Sequence, residues 1–159
     1  MRSALNIPVS PLTIEQRLLS MPPVRALQLR LHDYDGDSLG LIAPLAANIN
    51  DKGNAFGGSL ASVMTLAAWA LMSMKLEDAG HVADVYVQDS AVRYLAPLYD
   101  DLLADARLVP DQDWNAVIAA FAQRGRARAL LSARILARDG TLCCTLEGRF
   151  VALTPKPAG

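Results

Sequence analysis

The sequence predicts an α+β domain in which an antiparallel sheet of about six strands wraps around one long apolar helix. Two observations lead to this prediction. Residues 59–78 are apolar nearly all round, as expected of a helix that protein encloses on most sides. The segments that follow alternate small apolar residues with charged ones, so one face of each strand can cover the helix while the other meets water. The length of 159 residues suits a single domain over 1–159.

A short amphipathic helix is predicted near the start of the chain. Thr13 precedes an apolar run and Gln16 follows three residues later, which is the pattern of a capped helix start. We expect this helix at about 13–20 and expect Pro22 and Pro23 to end it.

A β-hairpin is predicted next. Leucines alternate with polar residues over 27–32, which is the spacing of a strand with one buried face. An Asp-Gly-Asp turn at 35–37 then separates this strand from a second apolar run at 39–44. The two runs are therefore expected to pair.

The long apolar helix is predicted at about 58–78, with Ser59 as its cap and Gly80 as its stop. Counted back to Gly53, the charge-free stretch approaches the ~20 residues of a membrane span. Five of its first seven residues, however, are Gly, Asn or Ser, and the flanking charges are mixed in sign. We therefore predict a helix inside the domain and no membrane span.

Four more strands and one helix are predicted after the long helix. Strands are expected at 83–95, 102–109, 126–138 and about 141–150. A helix with Trp114, Val117, Ile118 and Phe121 on one face is expected before Gly125. In the third of these strands the inner face is uniformly small and apolar: Ala127, Ala129, Leu131, Ala133, Ile135, Ala137. In the last one Leu142, Cys144, Leu146 and Phe150 are expected to point inward.

Composition excludes several classes of partner. The net charge of −1 offers no basic field for nucleic acid or for an anionic membrane surface. Cys143 and Cys144 are neighbours in a predicted strand and point to opposite faces, so no disulfide between them is expected. The first residues lack the apolar core of a secretory signal, which predicts a cytoplasmic protein. We predict neither a metal site nor a cofactor.

Two motifs resemble those of a known superfamily. "NDKGNAFGGS" (50–59) resembles the loop N-x-x-G-x-x-H-G-G of hotdog-fold thioesterases, and "DSAVRYLAPL" (89–98) resembles the strand that follows their central helix. From about residue 20 to 153 the chain is similar to the stand-alone form of the thioesterase-like C-terminal domain of some bacterial acetyltransferase fusions, the YiiD C-terminal type. The resemblance implies the hotdog fold.

The same resemblance implies a function. The implied function is hydrolysis of acyl-CoA or acyl-carrier-protein thioesters. The implied active form is a homodimer, or a tetramer, with sites between protomers. Coenzyme A would enter only as part of the substrate. The alternative is a non-catalytic module that binds acyl thioesters in fatty-acid metabolism.

Gly57 and Gly58 are the first candidates for such a site. Thioester hydrolysis requires an oxyanion to be stabilised, and backbone N–H groups at a helix N-terminus can do so. A residue without a side chain also lets a thioester approach closely. The alternative interpretation is an ordinary flexible loop before a helix.

The groups that would move protons are harder to place. The resemblance puts a histidine at Phe56 and a catalytic carboxylate at Thr65, and this sequence has neither. Thr65 can order a water molecule but is not a useful base. His32 and His81 are interpreted as surface residues.

Asp89 is the best replacement for the missing carboxylate. It has the same strand parity as Val85 and Val87, so it is predicted on an apolar face, where burial raises the pKa of a carboxyl group. The alternative is structural. If the strand pairs with its two-fold mate near Ala91, Asp89 faces Arg93 of the partner subunit as an ion pair.

The remaining candidates are polar or basic residues near the loop and on the strands. Asn50 matches the loop asparagine of the family, which orients the acyl carbonyl or a water molecule, and it joins Gly57 and Asp89 as a predicted catalytic residue. Ser59 is interpreted as a cap rather than a nucleophile. Arginines at 124–128 can meet coenzyme A phosphates or simply keep the strand soluble. The predicted substrate-binding residues are Asn54, Phe56, Gly58, Ser59, Thr65, Ser90, Arg126 and Arg128.

Overall fold

One six-stranded antiparallel sheet and a long helix form the centre of the structure, a computed structural model that describes residues 11–157. The helices are α1 (Pro11–Leu19), α2 (Pro22–Arg25), α3 (Gly57–Asp78) and α4 (Trp114–Arg124), with a 3₁₀ turn at Leu45–Ala47. The strands are β1 (Arg30–Tyr34), β2 (Ser38–Ala43), β3 (Asp84–Tyr94), β4 (Leu102–Leu108), β5 (Arg126–Leu136) and β6 (Leu142–Leu153).

The strands follow the order β1-β2-β4-β5-β6-β3, so β1 and β3 are the two edges. The predicted hairpin is present as β1 and β2. α3 packs against the inner face of the sheet, and most of its residues are buried there. The α+β fold class predicted from the sequence is confirmed.

The central helix begins without a side-chain cap. Phe56 is the N-cap, and its carbonyl accepts the N–H of Leu60 at 3.0 Å. The predicted cap, Ser59, is instead the third residue of the helix and is buried, so that prediction is wrong. Gly80, with φ +87°, follows the helix end. The sequence could not place the start because Gly57 and Gly58 are poor helix formers in isolation.

α3 is the one helix within residues 11–157 that is long and apolar enough to cross a membrane. Of its most apolar window, 67% is buried inside the protein. The wrapping sheet therefore accounts for its all-round apolar surface.

The N-terminal segment differs from its prediction. α1 begins at Pro11, so Thr13 lies inside the helix rather than at its cap. Pro22 and Pro23 do not merely end α1; they are the first two residues of α2. Proline suits a first turn because the N–H groups there have no partner within the helix. Arg17 joins α1 to the centre by pairing with Glu77 of α3.

The predicted alternation of β5 and β6 is present, with two exceptions: Ala137 lies after the end of β5 and is only half buried, and Leu142 is partly exposed. The inward residues of β5 are buried, as are Cys144, Leu146 and Phe150 of β6, but Leu142 at the start of β6 is 37% exposed. Cys143 and Cys144 are buried free thiols. Burial raises the pKa of both, that of Cys144 to about 12, so both stay protonated at neutral pH.

A β-bulge in β3 decides which of its side chains face α3. Val87 pairs with Phe150, but the next paired residue is Asp89, opposite Arg149, so Gln88 is the extra residue. One extra residue moves all following side chains to the other face. Odd-numbered residues of β3 therefore point inward before Gln88, and even-numbered residues point inward after it.

Candidate active site

The N-terminus of α3 presents unpaired backbone donors. Within residues 11–157, the N–H groups of Gly57, Gly58 and Ser59 have no acceptor, and the first turn carries no acidic side chain. The helix dipole adds partial positive charge at this end. These three groups can bind an anionic oxygen.

The two glycines are needed for different reasons. Neither has a positive φ, so the backbone does not demand glycine. A Cβ added to Gly58 would lie 2.6 Å from Cε1 of Phe56, whose ring folds over this residue. A Cβ added to Gly57 would lie 3.6 Å from the Tyr94 ring, an ordinary contact. Local packing thus explains Gly58, whereas packing within the chain does not require a glycine at position 57.

The loop before α3 is held by its own side chains. Oδ1 of Asn50 accepts the N–H groups of Lys52 (2.8 Å) and Asn54 (3.1 Å), and its Nδ2 donates to Oδ1 of Asn54 at 2.7 Å. The two predicted site residues Asn50 and Asn54 therefore bind each other. These hydrogen bonds hold the residues of the turn in place. They therefore contradict the interpretation of this segment as a flexible loop.

Asn48 anchors the N-cap residue, and the sequence analysis missed it. Its carbonyl accepts the N–H of Phe56 at 2.8 Å, and its buried amide donates to the carbonyls of Leu27 (3.0 Å) and Pro44 (2.9 Å). It therefore ties the start of α3 to the ends of two other elements. An asparagine two residues before the loop motif was the available signal.

Tyr94 is a second residue that the sequence analysis missed. It ends β3 on the inner face, opposite the buried Cys144. Its hydroxyl donates to the carbonyl oxygen of Gly57 at 3.1 Å. The signal was present as the aromatic residue of "DSAVRYLAPL", which resembles the family strand but was given no role.

α3 is incompletely covered on the side where it meets β3, and we call this half-buried strip of the helix the groove. The helix residues on this side are only half buried: Ala61, Ser62, Thr65, Leu66 and Trp69. Tyr94 borders the groove at Gly57, and Trp69, whose Nε1–H donates to the carbonyl of Val85 at 2.8 Å, borders it at the other end. At 1.5 Å per residue the twelve steps from Gly57 to Trp69 cover about 18 Å.

Phe56 and Thr65 provide no acid–base chemistry to this groove. The Phe56 ring is 55% exposed and lies against Gly58, so it forms an apolar wall. The Thr65 hydroxyl donates to the carbonyl of Ala61 at 2.8 Å. Its oxygen can still accept a hydrogen bond, for example from a water molecule.

The predicted position of Asp89 on an apolar inner face is wrong. The bulge at Gln88 turns it to the outer face, where its carboxylate forms an ion pair with Arg149, with Nε to Oδ1 at 2.8 Å. The hydrogen bond from Arg149 lowers the pKa of Asp89 instead of raising it, and it raises the pKa of Arg149. The alternative partner predicted across a two-fold axis was Arg93, whereas the contact within the chain is with Arg149.

The other candidates lie on different surfaces. Arg126 and Arg128 are exposed on the outer face of β5, and in the described part of the chain neither forms an ion pair. Ser90 is exposed on the inner face of β3, after the bulge.

Neither histidine is placed near Gly57. His32 lies on β1, the opposite edge of the sheet from β3, and His81 follows α3 at the far end, packed edge-on against Phe121. His32 is exposed, as predicted, whereas His81 is half buried. Among residues 11–157 no three His, Cys, Asp or Glu side chains are grouped as a metal site would require.

Solved structures of other proteins share this fold, some at more than 25% identity. A protein of unknown function from Chlorobaculum tepidum TLS is 27% identical, with a TM-score of 0.82 over 93% of this chain and 99% of that one. A "putative thioesterase" from Shewanella oneidensis is 28% identical, with a TM-score of 0.80 over 90% of this chain and 96% of that one. A thioesterase from Haemophilus influenzae, 16% identical, shares the fold with a TM-score of 0.72 over 94% and 95% of the two chains.

A family model agrees with these structural similarities. The model described as "Putative thioesterase (yiiD_Cterm)" matches residues 13–154, which include α3, the whole sheet and both glycines. The chain therefore belongs to the YiiD C-terminal family of hotdog-fold proteins.

Proposed function

We propose that this protein hydrolyses acyl thioesters, with the N–H groups of Gly57 and Gly58 holding the oxyanion. The observation that carries the proposal is that, among residues 11–157, the N–H groups of both glycines at the N-terminus of α3 have no acceptor. Membership of a family described as thioesterases supports the same reaction class.

The proposed chemistry needs charge stabilisation at one atom. When water attacks the thioester carbon, negative charge develops on the former carbonyl oxygen. Two fixed N–H donors at the positive end of a helix dipole stabilise that charge without reorganising. One such donor contributes about 10²–10³ to the rate in other enzymes.

The attacking water is proposed to lie in the groove beside these donors. The Thr65 hydroxyl donates to the Ala61 carbonyl, so its oxygen can accept a hydrogen bond from a water molecule in the groove, but it lies about 12 Å along α3 from Gly57. Ser62, half buried on the same side of the helix, offers a second hydroxyl. Ser62 is the nearer of the two to the donors, and neither hydroxyl is basic enough to deprotonate the water, so we expect slow turnover.

The acyl chain is proposed to lie in the groove between α3 and β3. Its walls, Ala61, Leu66 and Trp69 on the helix and Val92 on the strand, are mostly apolar. The leaving thiol would then belong to coenzyme A or to an acyl-carrier protein and would point outward. Arg126 and Arg128 lie on the outer face of β5 and form no ion pair among residues 11–157, so we propose that they contact the phosphate groups of the leaving thiol at the site of a second copy paired along β3.

The proposed active form is a homodimer, or a tetramer built from dimers, in the cytoplasm. β3 is an eleven-residue edge strand exposed over most of its length, and an edge of this kind invites pairing with another strand. The groove opens beside this edge, so a second copy paired along β3 would complete its wall.

One observation favours a second candidate, a module that binds acyl thioesters without hydrolysing them. Phe56 and Thr65 occupy the positions at which the family resemblance implies a histidine and a carboxylate, and Asp89 lies on the outer face. Such a protein would keep the glycine donors and the groove while lacking a base.

Thiol release from a panel of acyl-CoAs and acyl-carrier proteins separates the two candidates. The hydrolase predicts catalytic thiol release that exceeds the spontaneous rate and scales with enzyme concentration. Calorimetric binding of the same acyl-CoAs without thiol release at any chain length would overturn hydrolysis and favour the binding module. Asn50→Ala tests the loop in the same assay, and we expect it to act through loop order, lowering thermal stability as well as turnover.

A further inference from the structure

We infer that Tyr94 is a positioning residue that strengthens the oxyanion donor of Gly58 through the peptide group between Gly57 and Gly58. This inference rests on the proposed hydrolysis and adds a residue to its machinery. The contact that carries it is the hydrogen bond from the Tyr94 hydroxyl to the Gly57 carbonyl oxygen, 3.1 Å long.

The carbonyl that Tyr94 contacts belongs to the same peptide unit as a proposed oxyanion donor. The C=O of Gly57 and the N–H of Gly58 are conjugated through one planar amide. A donor at the oxygen draws electron density from the nitrogen and makes the N–H a stronger donor in turn. Hydrogen bonds linked in this way reinforce each other by about 10–30% per bond.

The placement of Tyr94 also fixes the peptide group in space. The Tyr94 ring lies beside Gly57, where a Cβ added to the glycine would be 3.6 Å from Cε1 of the ring. The N–H of Phe56, the residue before Gly57, donates to the backbone carbonyl of Asn48. Hydrogen bonds therefore hold the chain on both sides of the Gly57 α-carbon. Tyr94 stands at the end of β3, a strand that hydrogen-bonds to β6, and therefore couples the helix N-terminus to the sheet.

Tyr94→Phe isolates the hydroxyl because it keeps the ring and its contact with Gly57. An oxyanion donor contributes a factor of about 10²–10³ to the rate. If loss of the hydroxyl lowers the corresponding free energy by about 10–30%, kcat should decrease about two- to eightfold. KM should stay unchanged, since the oxyanion exists in the transition state and not in the bound substrate. The matched control is Tyr86→Phe, on the same strand and similarly exposed, whose hydroxyl makes no hydrogen bond in the described residues.

A series of fluorinated tyrosines at position 94 provides a readout that a purely structural role would not change. Ring fluorines make the phenol a stronger donor while leaving its size nearly the same. At a pH that keeps each phenol protonated, kcat should rise with donor strength, from phenylalanine through tyrosine to the fluorotyrosines. Tyr86 substituted with the same residues should give a flat series.

The possible results distinguish this inference from the proposed function. Catalytic thiol release by the wild type, with kcat graded along the series at position 94, supports both. Wild-type thiol release with equal kcat for tyrosine, phenylalanine and fluorotyrosines overturns the role of Tyr94 and leaves hydrolysis standing. A rise in KM without a change in kcat would also overturn it, because that result would make Tyr94 a substrate contact. Absence of thiol release by the wild type overturns the proposed function itself.

Discussion

Asp89 and Tyr94 lie on the same strand, five residues apart, and face opposite sides of the sheet. Tyr94 points inward and donates to the N-terminal turn of α3. Asp89 points outward, where its charge is paired with Arg149. The first side chain supports a set of backbone donors, whereas the second belongs to a surface ion pair. The sheet thus separates the only carboxylate predicted to be catalytic from the donors that it was expected to serve.

The difference shows how these donors work. The groups at Gly57 and Gly58 are backbone N–H groups fixed by the helix and by Tyr94, so they need no ionisable side chain beside them. Such a site stabilises negative charge and leaves water activation weak. Catalysis, if measured, should therefore depend strongly on the glycine end of α3 and weakly on Asp89.

The largest expected effect is that of Gly57→Ala. A methyl group here fits beside the Tyr94 ring, and we expect it to hinder the approach of a thioester to the N–H groups. We expect turnover to fall by about 10²-fold, comparable to the loss of one oxyanion donor. Thiol release measures the effect, and thermal unfolding is its control, because Tm should not decrease. A rate of thiol release equal to that of the wild type would contradict the proposal that the oxyanion is held at Gly57.

The next effect concerns the bulge at Gln88, which decides the faces on which Asp89 and Tyr94 lie. Gly148 lies under it, and a Cβ there would be 2.8 Å from the backbone oxygen of Asp89 and 3.0 Å from Cβ of Ser90. Because backbone must move, Gly148→Ala should lower the free energy of unfolding by about 1–3 kcal/mol in urea titrations. Gly57→Ala is the matched control, since a methyl group fits there. Equal stability of the two variants would mean that the bulge is not constrained by Gly148.

The bulge also marks the limit of what the sequence could predict. The periodicity of β5 and β6 and the apolar α3 predicted the sheet-wrapped helix because those signals repeat over many residues. A bulge depends on a single extra residue, Gln88, and changes no residue type, so strand parity placed Asp89 on the wrong face.

The candidate site was predicted in part. Gly57 and Gly58 were found because adjacent glycines before an apolar helix form a local pattern. Tyr94 was missed because its contact is with Gly57, 37 positions earlier in the chain. Asn48 was missed because its contacts join three separate elements. No spacing in the sequence expresses such contacts. Asn50 and Asn54 were recognised, but not as partners of each other.

A smaller effect is expected in acyl-chain selectivity. Each methylene buried in the groove should add ~0.8 kcal/mol, or about fourfold in kcat/KM, until the chain reaches Trp69. Ala61→Leu fills the groove one turn after Gly57 and should reduce activity on long chains more than on short ones. Ala119→Leu, the same change on an exposed face of α4, is the control. A flat dependence on chain length in the wild type would place the acyl chain outside this groove.

The smallest effect is expected at Asp89. Because Asp89 faces away from α3, Asp89→Asn should leave kcat unchanged and affect stability alone. Arg149 lowers the pKa of Asp89 in the folded protein, so the ion pair stabilises the fold above the unfolded pKa of ~3.9. That stabilisation is lost as the pH falls through the folded pKa. The small decrease in Tm at neutral pH should therefore disappear in acid.

A double-mutant cycle of Asp89→Asn with Arg149→Gln tests this assignment. The coupling between the two positions should be measurable at neutral pH and absent in acid, because only the ionised carboxylate binds the guanidinium. A large loss of kcat in Asp89→Asn would contradict the separation of the two faces. It would mean that Asp89 reaches a thioester site after all, and in a dimer paired along β3 the site that it reaches would be that of the second copy.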